Sequence, residues 1–440
     1  MDKIKVYVGM SGGVDSSLSA ALLVEQGYDV TGVYMKNWTS DLPGVKCPWA
    51  DDLADAKRVA VQLGIGFKVF DFEKQYKQKV VDYMIDEYKN GRTPNPDIMC
   101  NQEVKFKLFL TTALADGADM IATGHYARVI NSFSKNSLLV ASSSLLHAGL
   151  NQGPGALLNS DSRVSDEATN KLPDLFVTPQ TSRSVIISHG ILEPKSEVAP
   201  GPNSDLERNS AIGNSSRNDD QNMNVLLRAA DENKDQTYFL YRVTGEALGK
   251  TLFPIGEFTK PQVRKMAESR GLTTAVKKDS QGICFVGQVG IRDFLSLYVD
   301  PKPGEIIDKQ SGKVLGHHDG AIFYTFGQRH GLDVGGGMPY YVIGKDMDKN
   351  EVYVTTNLND ETLWKKTICL GNLNWINQAP VNGRYEIRVR HRAPLVGAVL
   401  ALGDDNILKL DLDQPERAIA PGQSVVIYDS DICLGGGIIV

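Results

Sequence analysis

The chain has 440 residues, 42% of them hydrophobic and 23% charged, a balance that excludes disordered and fibrous classes and leaves room for two or three domains. Five scattered cysteines without a CxxC pair or a His/Cys cluster exclude a disulfide scaffold and a zinc site. With 47 Lys+Arg against 53 Asp+Glu the net charge is -6, so general affinity for nucleic acid is excluded and any RNA contact must rest on local patches. No apolar run reaches the ~18 residues of a membrane helix, and the start MDKIKVYVGM has no export signal or amphipathic presequence. The expectation is a soluble protein of a reducing compartment, a bacterial cytoplasm or, with a presequence, a mitochondrial matrix, with no membrane partner.

In chain order, Lys3–Gly9 reads as a strand and Ser16–Gln26 as a helix closed by Gly27. Strand Asp29–Met35, helix Asp51–Leu63 stopped by Gly64, and strand Phe67–Phe72 follow. Helices are expected at about Glu73–Asn90 and Glu103–Asp116, then a strand at Met120–Thr123. Such alternation predicts an α/β fold with a parallel sheet, whose ligands bind beyond the carboxyl ends of the strands, here after Gly9, Met35 and Thr123. Residues 131–222 carry 17 serines and ten asparagines but no Tyr or Trp, the composition of a disordered or loosely folded insertion. Helical stretches are expected at Gln236–Gly245 and at Lys260–Arg270, the latter opened by Thr259-Lys260-Pro261. β-Branched, Gly-punctuated runs then predict two β-rich units, near 295–360 and 365–440.

The strongest local signal is the turn Gly9-Met10-Ser11-Gly12-Gly13-Val14-Asp15-Ser16-Ser17 between the first strand and the first helix. Glycines admit close backbone approach, and the N–H groups of the helix start favour an anion, so a phosphate cradle is expected. It is not a Walker A loop, because the lysine of that pattern is absent. The plain alternative is an ordinary strand-to-helix turn capped by Asp15 or Ser16. Cys100, near Asp97 and Lys105, and Cys284, after Lys277 and Lys278, are candidate thiolates. The other reading for any cysteine is a small buried apolar residue, and this is expected for Cys47, Cys369 and Cys433. Asp97 on its Pro-rich segment suits acid/base work or a helix cap, and His125 suits either a ligand contact or a packed core position. In Arg384-Tyr385-Glu386-Ile387-Arg388-Val389-Arg390-His391-Arg392 a period of two puts Arg384, Arg388, Arg390 and Arg392 on one strand face, a stripe for phosphates or simply for solvent.

The glycine turn resembles the pyrophosphatase loop of the ATP-pyrophosphatase superfamily. Several further segments resemble successive motifs of the tRNA-specific 2-thiouridylases: Tyr34-Met35-Lys36-Asn37-Trp38, Asp52-Leu53-Ala54-Asp55-Ala56, Thr93-Pro94-Asn95-Pro96-Asp97-Ile98-Met99-Cys100-Asn101, Thr123-Gly124-His125-Tyr126-Ala127-Arg128, Asn233-Lys234-Asp235-Gln236-Thr237-Tyr238-Phe239-Leu240, Asp279-Ser280-Gln281-Gly282-Ile283-Cys284-Phe285, Ala420-Pro421-Gly422-Gln423-Ser424 and Cys433-Leu434-Gly435-Gly436-Gly437. The resemblance covers nearly the whole chain except 131–222. It implies an ATP-pyrophosphatase (adenine nucleotide alpha hydrolase-like) domain over 1–290, a small central domain over 295–360 and a C-terminal β-barrel over 365–440.

It further implies ATP-dependent conversion of a tRNA wobble uridine to 2-thiouridine, on acceptors for Lys, Glu and Gln, with sulfur from a cysteine desulfurase or relay protein. By the same resemblance ATP is held by Gly9, Met10, Ser11, Gly12, Gly13, Val14, Asp15 and Ser16 with Met35 and Gly124, Mg2+ accompanies it near Asp15, and no protein metal site is expected. Cys284 carries the persulfide, and Cys100 is the partner nucleophile, with Asp97 beside it. Asn95-Pro96-Asp97 meet the target base, and His125, Lys234, Asp235, Gln236, Arg390, His391 and Gln423 meet tRNA. Two rival classes share parts of this pattern: another ATP-pyrophosphatase synthetase, and a non-catalytic tRNA-binding protein of the same fold.

Overall fold

The computed structural model describes residues 3–40, 47–131, 223–278 and 290–440 apart from 336 and 404. The first part of the chain folds as the alternating pattern dictates. Strands β1 (Lys5–Gly9), β2 (Asp29–Lys36), β3 (Gly66–Asp71) and β4 (Met120–Thr123), with the later two-residue β7 (Thr251–Leu252), form a parallel sheet of order β3-β2-β1-β4-β7. Helix α1 (Val14–Glu25) buries Val14, Leu18, Ala21 and Leu22, and α2 (Trp49–Leu63) buries Ala56, Val59 and Ala60. Helix α2 ends at Gly64 in the left-handed conformation, φ 66°, which glycine adopts without strain. The strand order reverses at β1, between β2 and β4, and this topological switch opens a crevice at the carboxyl ends of β1 and β4.

The third expected helix runs from 73 to 89 with a wide turn at Lys77–Val81; it is α3. The fourth starts earlier than its periodicity predicts. Asn95 Oδ1 accepts the N–H groups of Asp97 (3.1 Å) and Ile98 (3.3 Å), and Pro96 takes the first helical position, so the helix begins at Pro96. It continues through a wide stretch, Cys100–Phe109, to Ala115; this is α4 (96–115). Cys100 therefore lies inside a helix, not in a loop before one. The expected helix Gln236–Gly245 is also corrected: it is broken into α5 (Thr237–Leu240) and a separate short helix at Gly245–Gly249 capped by Thr244. Helix α6 (Lys260–Ser269) starts at Lys260 as its sequence predicts, with Gln262 Oε1 accepting the Thr259 N–H at 2.8 Å.

Segment 131–222 lies outside the described residues from 132 onward. Its flanks are joined: β5 (Arg128–Ile130) pairs antiparallel with β6 (Val225–Leu227), Ile130 opposite Val225. Four strands within 304–355 make a mixed sheet around Ile306, Tyr324, Leu332, Val342, Val352 and Val354. Beyond them six antiparallel strands close a barrel in the order β12-β15-β14-β13-β16-β17, with β12 returning to β17; these are Trp364–Trp375, Gly383–Arg388, Val396–Leu402, Leu408–Arg417, Ser424–Asp429 and Ile432–Ile439 in chain order. Its interior is Ile368, Leu370, Ile387, Leu400, Leu410, Ile427 and their neighbours. Strand β6 adds to β17, so the parallel-sheet unit and the barrel share backbone hydrogen bonds. This architecture, a parallel-sheet nucleotide-type domain, a middle β unit and a C-terminal barrel, is the fold the sequence predicts.

Candidate active site

The glycine turn occupies the switch-point crevice. Gly9 ends β1 and α1 follows with Gly13 at its N-cap and no side-chain cap, which leaves the first-turn N–H groups aimed at the loop. The Ser11 N–H reaches Ser16 Oγ at 3.2 Å, and the Ser16 and Ser17 hydroxyls donate to Gly13 O. A Cβ at Gly124 would come within 2.6 Å of Ser16 N, so β4 and α1 meet there as only glycine permits. Gly12, at φ 73°, is pinned under the Asp52 backbone in the same way, whereas a Cβ on Gly13 would meet only Ser11 Oγ, at 3.5 Å. Gly12 and Gly124 are thus explained by packing, and the Gly13 side is the open face of the cradle. Met10 is buried, and the Met35 methyl lies against Gly9. Asp15, in the first turn, accepts Lys260 Nζ at 2.8 Å and the Tyr126 hydroxyl at 2.8 Å.

The uncapped helix start, the exposed Ser11 and the nearby ammonium fit a polyphosphate. The Asp15 carboxylate, the one nearest the cradle, is held by Lys260 and Tyr126.

A second site forms where the barrel meets α4. Thr93 N–H donates to Pro421 O at 2.9 Å, and Gly422, at φ 88°, lies so close to Thr93 that a Cβ would come within 2.7 Å of its nitrogen. A cavity of about 160 Å3 opens beside this seam, lined by Thr93, Asn95, Tyr238, Arg390, His391 and Gln423 among others. Four residues expected to meet tRNA, Asn95, Arg390, His391 and Gln423, are brought together here from three distant segments. The His391 ring lies 4.5 Å from that of Phe239. Burial, reinforced by the charges of Arg392 and Arg388, brings its pKa down to about 4, so it is neutral at pH 7. His391 Nδ1 and Gln423 Oε1 are buried without a hydrogen-bond partner among the described residues. Buried polar atoms are rarely left so, and a ligand with polar edges would satisfy both. Cys100 is buried on α4, and burial raises the Asp97 carboxyl pKa while the Lys105 ammonium opposes the shift.

Other expected residues sit elsewhere. His125 is buried against Phe106 and Phe253, its Nδ1 2.8 Å from Thr123 Oγ1, and burial holds its pKa far below the usual value; this is the packed-histidine alternative. Asp235 is buried too, accepting Arg388 Nη1 at 2.7 Å and the Thr237 hydroxyl. Gln236 is turned to the Tyr126 backbone, giving its N–H to Tyr126 O and accepting from Tyr126 N. Of that triplet Lys234 alone remains, half-buried beside His391.

The arginine stripe is corrected. Strand Gly383–Arg388 ends at Arg388, which is interior and paired with Asp235; Arg384 pairs outward with Asp413, and Arg390 donates to the carbonyls of Arg417 and Ala418. Alternation stops where the strand stops, so no four-arginine face exists. Cys284 lies outside the described residues. Tyr238 and Thr93, which line the cavity, and Tyr126 and Lys260, which hold Asp15, stand in the motifs and helix start named above, but the sequence alone assigns none of them to a site.

A family model described as tRNA methyl transferase HUP domain matches residues 4–145 and 206–288, one described as tRNA methyl transferase PRC-barrel domain matches 292–356, and one described as Aminomethyltransferase beta-barrel domain matches 365–439. The first leaves 146–205 unmatched. Over 438 residues the chain is 39% identical to the tRNA-specific 2-thiouridylase MnmA of Bacillus cytotoxicus, covering 99% of this chain and 94% of the relative. With the same coverage it is 38% identical to the tRNA-specific 2-thiouridylase MnmA of Bacillus thuringiensis. Identity of this extent, through both the crevice and the barrel, makes the chain a member of the tRNA-specific 2-thiouridylase family, transferases that act on tRNA uridine.

Proposed function

We propose that the protein thiolates C2 of the wobble uridine in tRNAs for Lys, Glu and Gln, using ATP and a persulfide delivered by a cysteine desulfurase or relay protein. One observation carries this reading. Helix α4 is capped by Asn95, which lines the cavity, carries Cys100 in its second turn, and further on bears Phe109, whose ring lies against Gly9 at the head of the glycine loop. An α-helix rises about 1.5 Å per residue, so Asn95 and Phe109 are at most ~21 Å apart and Cys100 at most ~13 Å from Phe109; one element runs from a base-sized cavity past a thiol to a polyphosphate cradle.

The residues divide the work accordingly. The α1 N-terminus and Ser11, Gly13 and Ser16 bind phosphate oxygens, with Met35 against the adenine and Gly124 holding the loop closed. ATP, when bound, supplies the adenylyl group that turns the uracil O2 into part of an AMP leaving group, releasing pyrophosphate. Asn95, Pro96 and Asp97 fix the base beside Cys100, while Arg390, His391, Gln423 and Lys234 take neighbouring groups of the anticodon arm. His125, Asp235 and Gln236 act from the interior, by holding the segments that present these groups. Asp97, its carboxyl raised by burial, is suited to hold or pass a proton at the base.

The terminal sulfur of a Cys284 persulfide attacks C2 and forms the C–S bond. The Cys100 thiolate attacks the inner sulfur, the S–S bond breaks, and a Cys100–Cys284 disulfide remains for an external dithiol to reduce; alternatively Cys100 first frees the sulfur as hydrosulfide. The C2–O bond then breaks and AMP leaves. Incubation with ATP, a persulfide donor and unmodified tRNA, followed by mass spectrometry of position 34, tests the proposal. 2-Thiouridine appearing only with ATP supports it. Adenylation without sulfur transfer would favour a different synthetase, and tRNA binding without either would favour a non-catalytic binder.

A further inference from the structure

The glycine loop has no lysine of its own, yet an ammonium stands over it. Lys260 Nζ lies 2.8 and 2.9 Å from the two carboxylate oxygens of Asp15, in the first turn of α1, and 5.8 Å from the Tyr126 ring centre. The lysine is the more deeply buried partner, its side chain 11% exposed against 30% for Asp15. Its backbone is fixed. The Lys260 N–H donates to Asp231 Oδ2 at 2.8 Å, Gln262 caps the helix start, and Val263 and Ala267 share a core with Val14 and Leu18. Only the four-carbon side chain is left to move.

We propose that Lys260 is the phosphate-binding lysine of the cradle, brought from a segment 245 positions along the chain. Without nucleotide it neutralises Asp15, whose charge would otherwise repel an anion at the α1 N-terminus. With nucleotide its ammonium moves to the oxygens of the departing pyrophosphate, and Asp15 keeps the Tyr126 hydroxyl. Stability alone is a poor reason for this pair. A part-buried ion pair adds little net stability once desolvation and side-chain ordering are counted, whereas a lysine beside an uncapped helix start adds charge where phosphate would bind. The inference rests on the ATP reading above and deepens it.

The test is calorimetric titration of the full chain with pyrophosphate and with ATP, compared with Lys260→Met, Lys260→Arg and the double variant Asp15→Asn/Lys260→Met. Thermal unfolding and tRNA affinity serve as controls for folding. Lys260→Met should weaken both ligands at least thirtyfold with tRNA affinity unchanged, Lys260→Arg should stay within about fivefold of the native protein, and the double variant should remain weak. Recovery of affinity in the double variant would reduce Lys260 to a neutraliser of Asp15 and overturn the assignment, as would unaltered pyrophosphate binding in Lys260→Met. If that variant does not fold, Lys260→Gln takes its place with the same readings: a loss of at least thirtyfold for pyrophosphate supports the assignment and unaltered binding overturns it. Failure of the native protein to bind either ligand would instead overturn the ATP reading itself.

Discussion

The switch-point crevice and the barrel-side cavity are built in opposite ways. The crevice is mostly backbone: Gly9 to Ser16 is one continuous stretch, and its shape comes from a strand end, a helix start and two glycines under close contact. The cavity is side chains from three segments, Thr93–Asn95, Tyr238 and the 390–424 region, meeting more than 300 positions apart in sequence. A site made of consecutive backbone can be read from local pattern. A site made by docking a barrel on a loop cannot, and variants that separate the two kinds of construction test the difference.

The largest effect is expected where the two sites meet. Cys100→Ser should lower thiolation at least a thousandfold while leaving ATP and tRNA affinity within threefold, because the change removes a sulfur and little volume from a buried helical position. A persulfide should still accumulate at Cys284, seen as a mass shift after alkylation. Cys284→Ser should be equally inactive, without that shift. Persulfide on Cys100 instead would reverse the two roles.

Next is the buried pair behind the cavity. Arg388→Met leaves the buried Asp235 with only the more distant Arg228 guanidinium, its Nε 3.9 Å away, and should cost about 1.5–3 kcal/mol of stability in urea denaturation. Arg390→Ala should cost under 1 kcal/mol but reduce the salt slope of tRNA binding by about one. Equal stability losses would mean that the two arginines do the same work.

The contrast between these arginines shows where the sequence stops being legible. Strand alternation was visible in 384–392, but whether Arg388 faced phosphate or protein depended on Asp235, 153 positions away. The parallel sheet, the glycine loop, the helix start at Thr259–Pro261 and the closing β-rich unit all follow from local periodicity and caps. Periodicity starts helix α4 near Glu103 because it does not show that Asn95, two residues before Asp97, caps the chain with its side chain. His125 could not be assigned from sequence, since only the Phe106 and Phe253 rings around it decide that it is interior. The roles of Cys100 and Cys284 came from family resemblance, as their separation in the chain carries no geometry.

In the crevice, Gly12→Ala places a Cβ against the Asp52 backbone at a left-handed position. The expected result is a loss of about 1–3 kcal/mol in stability and at least a tenfold weaker ATP affinity by calorimetry, with tRNA affinity unchanged. Gly13→Ala, on the open face, should fold normally and lose ATP affinity alone. If both variants lose only stability, the loop is an ordinary turn.

His391 gives a smaller, pH-dependent effect. Its pKa falls from 6.5 to about 4 in the folded protein, so the unfolded chain binds this proton more tightly. The contribution of its neutral form to stability is whole above about pH 6.5 and is lost as pH falls toward 4. Between pH 7 and pH 5 the midpoint of unfolding should drop less in His391→Gln than in the native protein. At pH 7 the same variant should weaken tRNA binding by less than about fivefold and leave its salt slope intact, because an uncharged imidazole releases no counterion. A slope reduced by one would mean that His391 is cationic in the complex.

The smallest effect is expected from the largest change. Ile130 and Val225 face each other across a two-strand ladder, and β6 is held by β17 of the barrel, so the chain on either side of 132–222 is already closed by backbone hydrogen bonds. Asn131 must be kept, because its buried side-chain amide donates to Leu248 O and Thr251 O at 3.0 Å. Replacing 132–222 by a short Gly/Ser linker then shortens the connection, and closure entropy changes by only about 0.6 kcal/mol per doubling of length. Serine- and asparagine-rich composition offers little apolar surface to lose with it. Thiolation rate, tRNA affinity and the unfolding midpoint should match the native protein within error, and the family match that passes over 146–205 is consistent with that dispensability. Loss of tRNA binding with an unchanged midpoint would make the segment a third contact for the anticodon arm. Loss of cooperative unfolding would make it part of the core, and the distinction between crevice and cavity would then have to include it.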